Sequence, residues 1–203
     1  GGIQHPPAIF LRDKHVNFLD KTLKGLDRIA LRLVWLGGAL LIMAAVIVTV
    51  DVILRKIFNI SMAGSDELSG YAFGVATTLS LSYALIHRSN IRVDALYQHL
   101  PSKLCAILDI IGNILLIAFV SYVAWRGFLM LADTWSNGSR SISPLRTPLA
   151  IPQTIWFAGL LLCVITGTAI ILRSLIHLAK RDWQSINQSL GIKSVDDQIE
   201  EES

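Results

Sequence analysis

Four long apolar stretches constrain the fold of this chain more than any other feature. They cover residues 33–50, 68–86, 105–125 and 151–172, and Asp109 is the only charged residue among them. As α-helices rising 1.5 Å per residue, they measure about 27–33 Å, which matches the hydrocarbon core of a bilayer. Because helices satisfy their own backbone hydrogen bonds in lipid, the pattern predicts an all-α integral membrane protein with four transmembrane helices.

The composition supports a membrane protein. Hydrophobic residues make up 53% of the chain and charged residues 16%, and the mean hydropathy is +0.55. A soluble domain of this size needs a more polar surface. We therefore expect membrane lipids, and no nucleic acid, around the chain. Cys105 and Cys163 lie in apolar stretches without CxxC spacing, which indicates small packing residues and no disulfide framework.

The distribution of Lys and Arg predicts the orientation. With the N-terminus inside, the inner segments hold thirteen of these residues and the outer segments five. The positive-inside rule then places both termini in the cytoplasm. We divide the chain into a cytoplasmic leader (1–32), a membrane domain (33–172) and a polar cytoplasmic tail (173–203).

The leader has an amphipathic pattern of its own. Its apolar residues recur every three or four positions from Val16 to Leu33, while Lys21, Lys24, Arg28 and Arg32 occupy another face. This predicts an N-terminal amphipathic helix at the inner membrane surface, with its cations toward anionic head groups. Binding in the groove of a soluble partner is the alternative.

The sequence offers no catalytic, cofactor or metal site. The five histidines lie outside the apolar stretches, and the chain has no HExxH, GxSxG or Walker pattern. Asp109 is expected to pair with Lys103 or Arg92, and a proton or ion relay is the alternative. Asp51 and Arg126, at the ends of spans, are expected to snorkel to the interface.

Small residues form two rows suited to close helix packing. The rows recur every four residues in the second and fourth spans, where they comprise Gly70, Gly74, Thr78, Ser82, Gly159, Cys163 and Gly167. Such rows let helix backbones approach each other, either within this chain or against another subunit. Gly64-Ser65-Asp66-Glu67 precedes the second span and is interpreted as a helix cap followed by two carboxylates near the positive helix end.

Four motifs in a fixed order resemble a known family. They are RKIFN at 55–59, SDEL at 65–68, NIRVDAL at 90–96 and SPLRTPLAIPQ at 143–153. Their order and spacing resemble the small membrane subunit of tripartite ATP-independent periplasmic (TRAP) transporters, the DctQ-like family. The resemblance covers roughly residues 25–180 and marks as motif or partner-contact residues Arg55, Asn59, Asp66, Glu67, Arg92 and Asp94.

The resemblance implies a non-catalytic scaffold of a sodium-coupled transporter in the bacterial inner membrane. A periplasmic binding protein would capture a small organic solute, often an organic acid. A large multi-span subunit would carry it, and the small subunit would hold that large subunit in place. A stand-alone channel or exporter, or a membrane redox protein, is the alternative.

Two loops carry more specific hypotheses. Arg92 and Asp94, two residues apart in an inner loop, are expected to fix the turn between the second and third spans. The outer loop at 135–148 is rich in Ser, Gly and Pro and carries Arg140 and Arg146. We expect this loop to lie where the binding protein docks.

Overall fold

The computed structural model describes residues 14–87 and 101–179, which form four helices. They are α1 (Lys14–Phe58), α2 (Ser65–Ile86), α3 (Ser102–Asn137) and α4 (Ala150–Ala179). This described part contains no β-strand, only one isolated bridge between Arg140 and Pro148. The predicted all-helical class is therefore confirmed.

Three of these helices are long and apolar enough to cross a membrane. They correspond to the segments Leu19–Phe58, Leu104–Asn137 and Ala150–Leu178. The helix α2 is less apolar, since it is rich in Ser, Thr and Gly. Each helix extends beyond the predicted apolar stretch, and α1 and α4 cross the expected boundaries at 32/33 and 172/173.

The helices begin and end at residues with suitable backbone preferences. Asn59, with φ 53°, ends α1, and Gly64, with φ 114°, precedes α2. A side chain at Gly64 would overlap that of Leu145, so both the backbone angle and the space require glycine here. Pro101 precedes α3, and Gly138, with φ 58°, ends it.

The helices pack in the order α1–α2–α4–α3, and α1 also contacts α4. Contacts between Gly37 and Ala76 and between Asp27 and His87 show that α1 and α2 are antiparallel. Similar contacts make α3 and α4 antiparallel and α2 and α4 parallel. Most of the apolar core lies where α2, α3 and α4 meet, at residues such as Leu85, Ile117, Val120, Leu160 and Cys163.

Two ends of the bundle follow from this topology. The hairpin end contains the α1–α2 turn and the α3–α4 connection, residues 138–149. The terminal end contains the start of α1, the end of α2, the start of α3 and the end of α4.

Candidate functional site

A buried carboxylate, Asp51, organises the α1–α2 turn at the hairpin end. Its side chain is 1% exposed. It accepts hydrogen bonds from the Ser65 hydroxyl at 2.7 Å and from the Met62 backbone N–H at 2.6 Å. The Arg55 guanidinium, one helical turn later, pairs with the same carboxylate. These donors compensate the cost of burying a charge and join the end of α1 to the start of α2.

This arrangement corrects one expectation from the sequence. Asp51 was expected to snorkel toward the interface, but it faces inward because Ser65, Met62 and Arg55 supply donors there. The expected helix cap is present: Gly64 occupies the N-cap position of α2, and Asp66 and Glu67 lie in its first turn. The Ser65 hydroxyl, in the same turn, donates to Asp51.

Glu67 links α2 to the connection between α3 and α4. Its carboxylate accepts hydrogen bonds from the Ser143 hydroxyl and, at 2.7 Å, from the Tyr71 hydroxyl. The hydrogen bond from Ser143, followed by that from Tyr71, holds the pKa of Glu67 below its usual value of 4.5. The carboxylate is thus a tie between two segments that are far apart in the sequence.

The segment that Glu67 ties down is an ordered hairpin, residues 138–149. Its two sides are joined by hydrogen bonds from the Ser141 N–H to the Thr147 carbonyl at 2.9 Å and from the Leu149 N–H to the Ser139 carbonyl at 3.2 Å. Arg140 and Arg146 are both exposed, and Arg146 has a positive φ of 46°. The hairpin therefore presents two cations on a fixed backbone.

Of the other motif residues, Asn59 and Asp66 also lie at the hairpin end. Both are exposed, and Asp66 lies 3.9 Å from the Arg55 guanidinium. The α1–α2 turn thus brings Arg55 and Asp66 together, while Glu67 faces the hairpin. Arg92 and Asp94 lie outside the described residues.

A second polar cluster lies at the terminal end, and sequence reasoning did not find it. His87 contacts the carboxylate of Asp27 at 2.9 Å and stacks on Tyr83 with ring centroids 4.1 Å apart. Arg173 on α4 forms an ion pair with Asp20 on α1 at 3.0 Å. The only signal in the sequence is that Asp20 and Asp27, seven residues apart, share one helix face.

The predicted rows of small residues divide into a buried and an open part. A Cβ added at Gly159 would lie 2.8 Å from the backbone carbonyl carbon of Thr78, so the backbones of α2 and α4 approach closely there. Gly167 lies against Leu85 and Ile117, and Ser82 is fully buried. In contrast, Gly70 has no atom within 4 Å of an added Cβ.

The open part of the row borders a cleft of about 160 Å³. Gly70 and Gly74 form one side, and residues of α3, the hairpin and α4, including Met130, Leu149 and Trp156, form the other. The cleft is apolar apart from Tyr71 and Gln153. Within the described residues, no group of three or more His, Cys, Asp or Glu side chains is placed to hold a metal ion.

Comparison with known proteins assigns the chain to a family. Residues 44–181, more than half of the chain, match the family described as "Tripartite ATP-independent periplasmic transporters, DctQ component". No curated protein and no solved structure matched. The match begins within α1, ends just past α4 and includes the Asp51 turn, the Glu67 tie and the hairpin. This chain therefore belongs to the DctQ family of TRAP transporter components, the family of their small membrane subunits.

Proposed function

We propose that the chain is the non-catalytic small subunit of a sodium-coupled TRAP transporter and that it scaffolds the large transport subunit. The family assignment supports its place in such a transporter. The large multi-span subunit would carry the solute, a small organic molecule, and the periplasmic binding protein would deliver it. The small subunit would contribute a rigid apolar surface in the inner membrane.

The exposed surface of α1 is the observation that supports scaffolding. Only 11% of the most apolar part of α1 is buried inside this chain, compared with 33% for α3 and 39% for α4. Large apolar side chains such as Trp35, Ile42 and Val46 are exposed along it. Helix packing in membranes depends on close fit rather than on the hydrophobic effect, so this long, uncovered surface suits a partner helix as well as lipid.

We further propose that α2 is the fourth transmembrane helix. The predicted span within it, residues 68–86, measures about 29 Å, packs between α1 and α4, and leaves Glu67 outside the membrane. Polar clusters lie at both of its ends, around Asp51 and Glu67 at one and His87 at the other. With four spans both termini would lie on the same side of the membrane. The Lys and Arg distribution would make that side the cytoplasm, and the hairpin would then be periplasmic.

The start of α1 would reach beyond the lipid on the cytoplasmic side. The helix is continuous from Lys14 to Phe58, so the proposed interfacial leader is part of the first membrane helix. Exposed Arg32 and Trp35 suit the head-group level, where cations and Trp are favoured. In this proposal the leader contacts head groups near Arg32 and extends further into the cytoplasm.

The hairpin at 138–149 is the proposed docking surface for the binding protein. Arg140 and Arg146 are exposed on it, and Glu67 holds it through a hydrogen bond from the Ser143 side chain. Two fixed cations favour an acidic patch on the partner, with an association rate that falls as salt rises.

The test is purification in mild detergent with mass identification of whatever accompanies the chain. We expect a far larger multi-span membrane protein to co-purify in a fixed ratio. Solute uptake in liposomes should require that protein, the binding protein and a sodium gradient. Solute flux by this chain alone would contradict the proposal and favour a channel, and a bound prosthetic group would favour a redox protein.

Charge reversal at both hairpin arginines tests the docking surface separately. The double variant Arg140→Glu/Arg146→Glu should still co-purify with the large subunit but bind the binding protein more weakly at low salt. Lys56→Glu, another exposed cation at the hairpin end, is the matched control. Unchanged binding in the double variant would exclude docking through these two side chains.

A further inference from the structure

Arg126 is an exposed cation on the outer surface of α3. Its guanidinium forms no hydrogen bond or ion pair with any residue in the part of the chain that the structure describes. The neighbouring side chains on this surface are large and apolar or aromatic, and 45% to 65% exposed: Tyr122, Trp125, Phe128 and Leu129. The charge therefore lies on a surface that otherwise suits lipid or another membrane helix.

The packing of the helices fixes the level of Arg126 in the bundle. A Cβ added at the adjacent Gly127 would lie 2.8 Å from the Trp156 ring of α4, and one added at Gly74 of α2 would lie 3.8 Å from the same ring. Trp156 comes five residues after the start of the predicted fourth span, and Gly74 comes six residues after the start of the second. In the proposed topology, Arg126 therefore lies about 8–9 Å inside the outer boundary of the membrane.

This level differs from the end-of-span position expected from the third apolar stretch. The helix continues past Arg126, and the next exposed side chains, Phe128, Leu129 and Met130, are apolar again. Side chains of an α-helix also lean toward its N-terminus, and α3 runs from the cytoplasmic to the periplasmic side in the proposed topology. Both features oppose snorkelling of the guanidinium to the outer head groups.

Two carboxylates toward the hairpin end are engaged elsewhere. Glu67 accepts a hydrogen bond from Ser143, and Asp133 accepts one from the Asn137 amide at 2.9 Å. Asp133 also lies two helical turns from Arg126, about 10 Å along α3. An unpaired charge in the apolar part of a membrane is costly, and arginines there pair with carboxylates or backbone carbonyls. An acceptor for Arg126 is therefore expected from another molecule.

We infer that Arg126 pairs with a carboxylate on a membrane helix of the large transport subunit. The inference rests on the proposed function and adds to it the face of this chain that the large subunit covers. A carboxylate neutralises the guanidinium and can accept two parallel hydrogen bonds from it. A lipid phosphate offers similar chemistry, but the depth of Arg126 and the lean of its side chain favour an acceptor within the membrane.

The open cleft beside Gly70 lies next to this surface. Met130 comes one turn after Arg126 on the same side of α3, and it lines the cleft together with Gly70 and Gly74. No atom lies within 4 Å of a Cβ added at Gly70, so the α2 backbone is open to close approach by another helix. A helix of the large subunit that fills this cleft would pass beside Arg126.

Association of the two subunits in lipid vesicles tests this inference. Energy transfer between a label on this chain and a label on the large subunit measures the bound fraction. Arg126→Gln should weaken association roughly tenfold, the size of one interhelical polar contact in a membrane. Arg126→Lys keeps the charge and should lose less. Arg32→Gln, which removes an exposed cation from α1, is the matched control and should leave association unchanged.

Charge exchange identifies the acceptor. Arg126→Glu should abolish association, and a lysine in place of one intramembrane Asp or Glu of the large subunit should restore it. The isolated subunit in detergent reports on folding. Because Arg126 has no partner among the described residues, Arg126→Gln should leave the Tm of the isolated subunit unchanged. Weaker association with an unchanged Tm assigns the effect to the interface between the subunits.

Three results would overturn the inference while leaving the proposed function intact. Unchanged association of both Arg126→Gln and Arg126→Glu would assign the guanidinium to lipid head groups. Failure of every charge reversal in the large subunit to restore Arg126→Glu would exclude a carboxylate as the acceptor. A lowered Tm of isolated Arg126→Gln would show a role within this chain. If the unaltered chain associates with no larger membrane protein, the proposed function fails as well.

Discussion

Asp51 shows how a charged residue is accommodated at the end of an apolar stretch. Transferring a carboxylate out of water is costly unless hydrogen-bond donors replace the solvent. Here the donors come from the same helix, from the turn and from the next helix: Arg55, Met62 and Ser65. The charge therefore favours one geometry of the α1–α2 turn over others.

Replacing Asp51 by Ala should destabilise the isolated subunit in detergent. The substitution leaves the buried Ser65 hydroxyl without its acceptor, and an unpaired buried donor is unfavourable. It also removes the bonds from the Met62 N–H and the Arg55 guanidinium that join the end of α1 to the turn. Thermal unfolding should show a clear fall in Tm, with a smaller fall for Ser65→Ala. Asp66→Asn is the control, since Asp66 is exposed and lies 3.9 Å from Arg55. Equal Tm values for Asp51→Ala and Asp66→Asn would contradict this role.

The acid stability of the hairpin should depend on Glu67. The hydrogen bonds from Ser143 and Tyr71 lower its pKa in the folded state below the usual value of 4.5. A group whose folded-state pKa is lowered contributes stability above its unfolded-state pKa, and this contribution disappears as the pH falls through the folded-state value. Below about pH 4.5 the hairpin should therefore loosen.

Glu67→Gln separates this effect from general acid unfolding. A spin label at the fully exposed Ile142 should become more mobile as the pH falls in the unaltered chain. In the Gln variant the label should already be more mobile at neutral pH and respond less to acid. An identical pH response in both proteins would exclude Glu67 as the relevant group.

Contacts between residues close in the sequence could be predicted, and contacts between distant residues could not. Arg55 was found because a motif contains it, and Asp51 precedes it by one helical turn, a spacing that sequence alone reveals. That Asp51 also meets Ser65 could not be predicted, because the contact depends on how the chain turns between Asn59 and Gly64. The Glu67–Ser143 contact, 76 residues apart, depends on the packing of all the helices.

At the scale of elements, apolar runs predicted the existence of the helices better than their ends. All four runs are helical, but α3 continues to Asn137, beyond the predicted 125, because helix formation does not stop where polarity begins. Gly138 ends it through a positive φ that favours glycine. The leader likewise has no break from the first span, since the residues joining them are all compatible with a helix.

Gly159 and Gly70 should respond differently to the same substitution. Gly159→Ala places a Cβ 2.7 Å from Thr78 Oγ1 and should separate α2 from α4, at a cost of about 1–3 kcal/mol. Gly70→Ala meets no neighbour and should be neutral or stabilising by up to about 1 kcal/mol. The free energy of unfolding of the isolated subunit in detergent measures both.

Gly70 also offers a test of where the large subunit binds. If the large subunit covers the open cleft beside Gly70, then Gly70→Leu should reduce co-purification while leaving the isolated subunit stable. Normal assembly of Gly70→Leu would place that interface elsewhere on the chain. Similar unfolding energies for the two Ala variants would contradict the division of the row into a buried and an open part.

At the scale of the whole molecule, the charge distribution predicted one orientation, and labelling can test it. A cysteine at Lys24 should be accessible only from the cytoplasm, and one at Arg140 only from the periplasm. A membrane-impermeant maleimide applied to cells with a permeabilised outer membrane should label Arg140→Cys, and should label Lys24→Cys only after lysis. The unaltered chain measures the background from Cys105 and Cys163, and the reverse labelling pattern would invert the topology.

The attachment of α1 has a mechanical consequence. Within the described residues, α1 is joined to α2 by the Asp51 turn at one end, by Asp27 and His87 near the other, and by the close approach of Gly37 to Ala76 between them. Asp27 and Asp51, the two polar joints, lie about 36 Å apart along the helix. The loss of one joint should therefore not alter the stability that the other contributes. Asp51→Ala and Asp27→Asn should therefore have additive effects on Tm. In each single variant, one end of α1 should move more freely relative to α2, while the Gly37–Ala76 contact and the other joint stay in place.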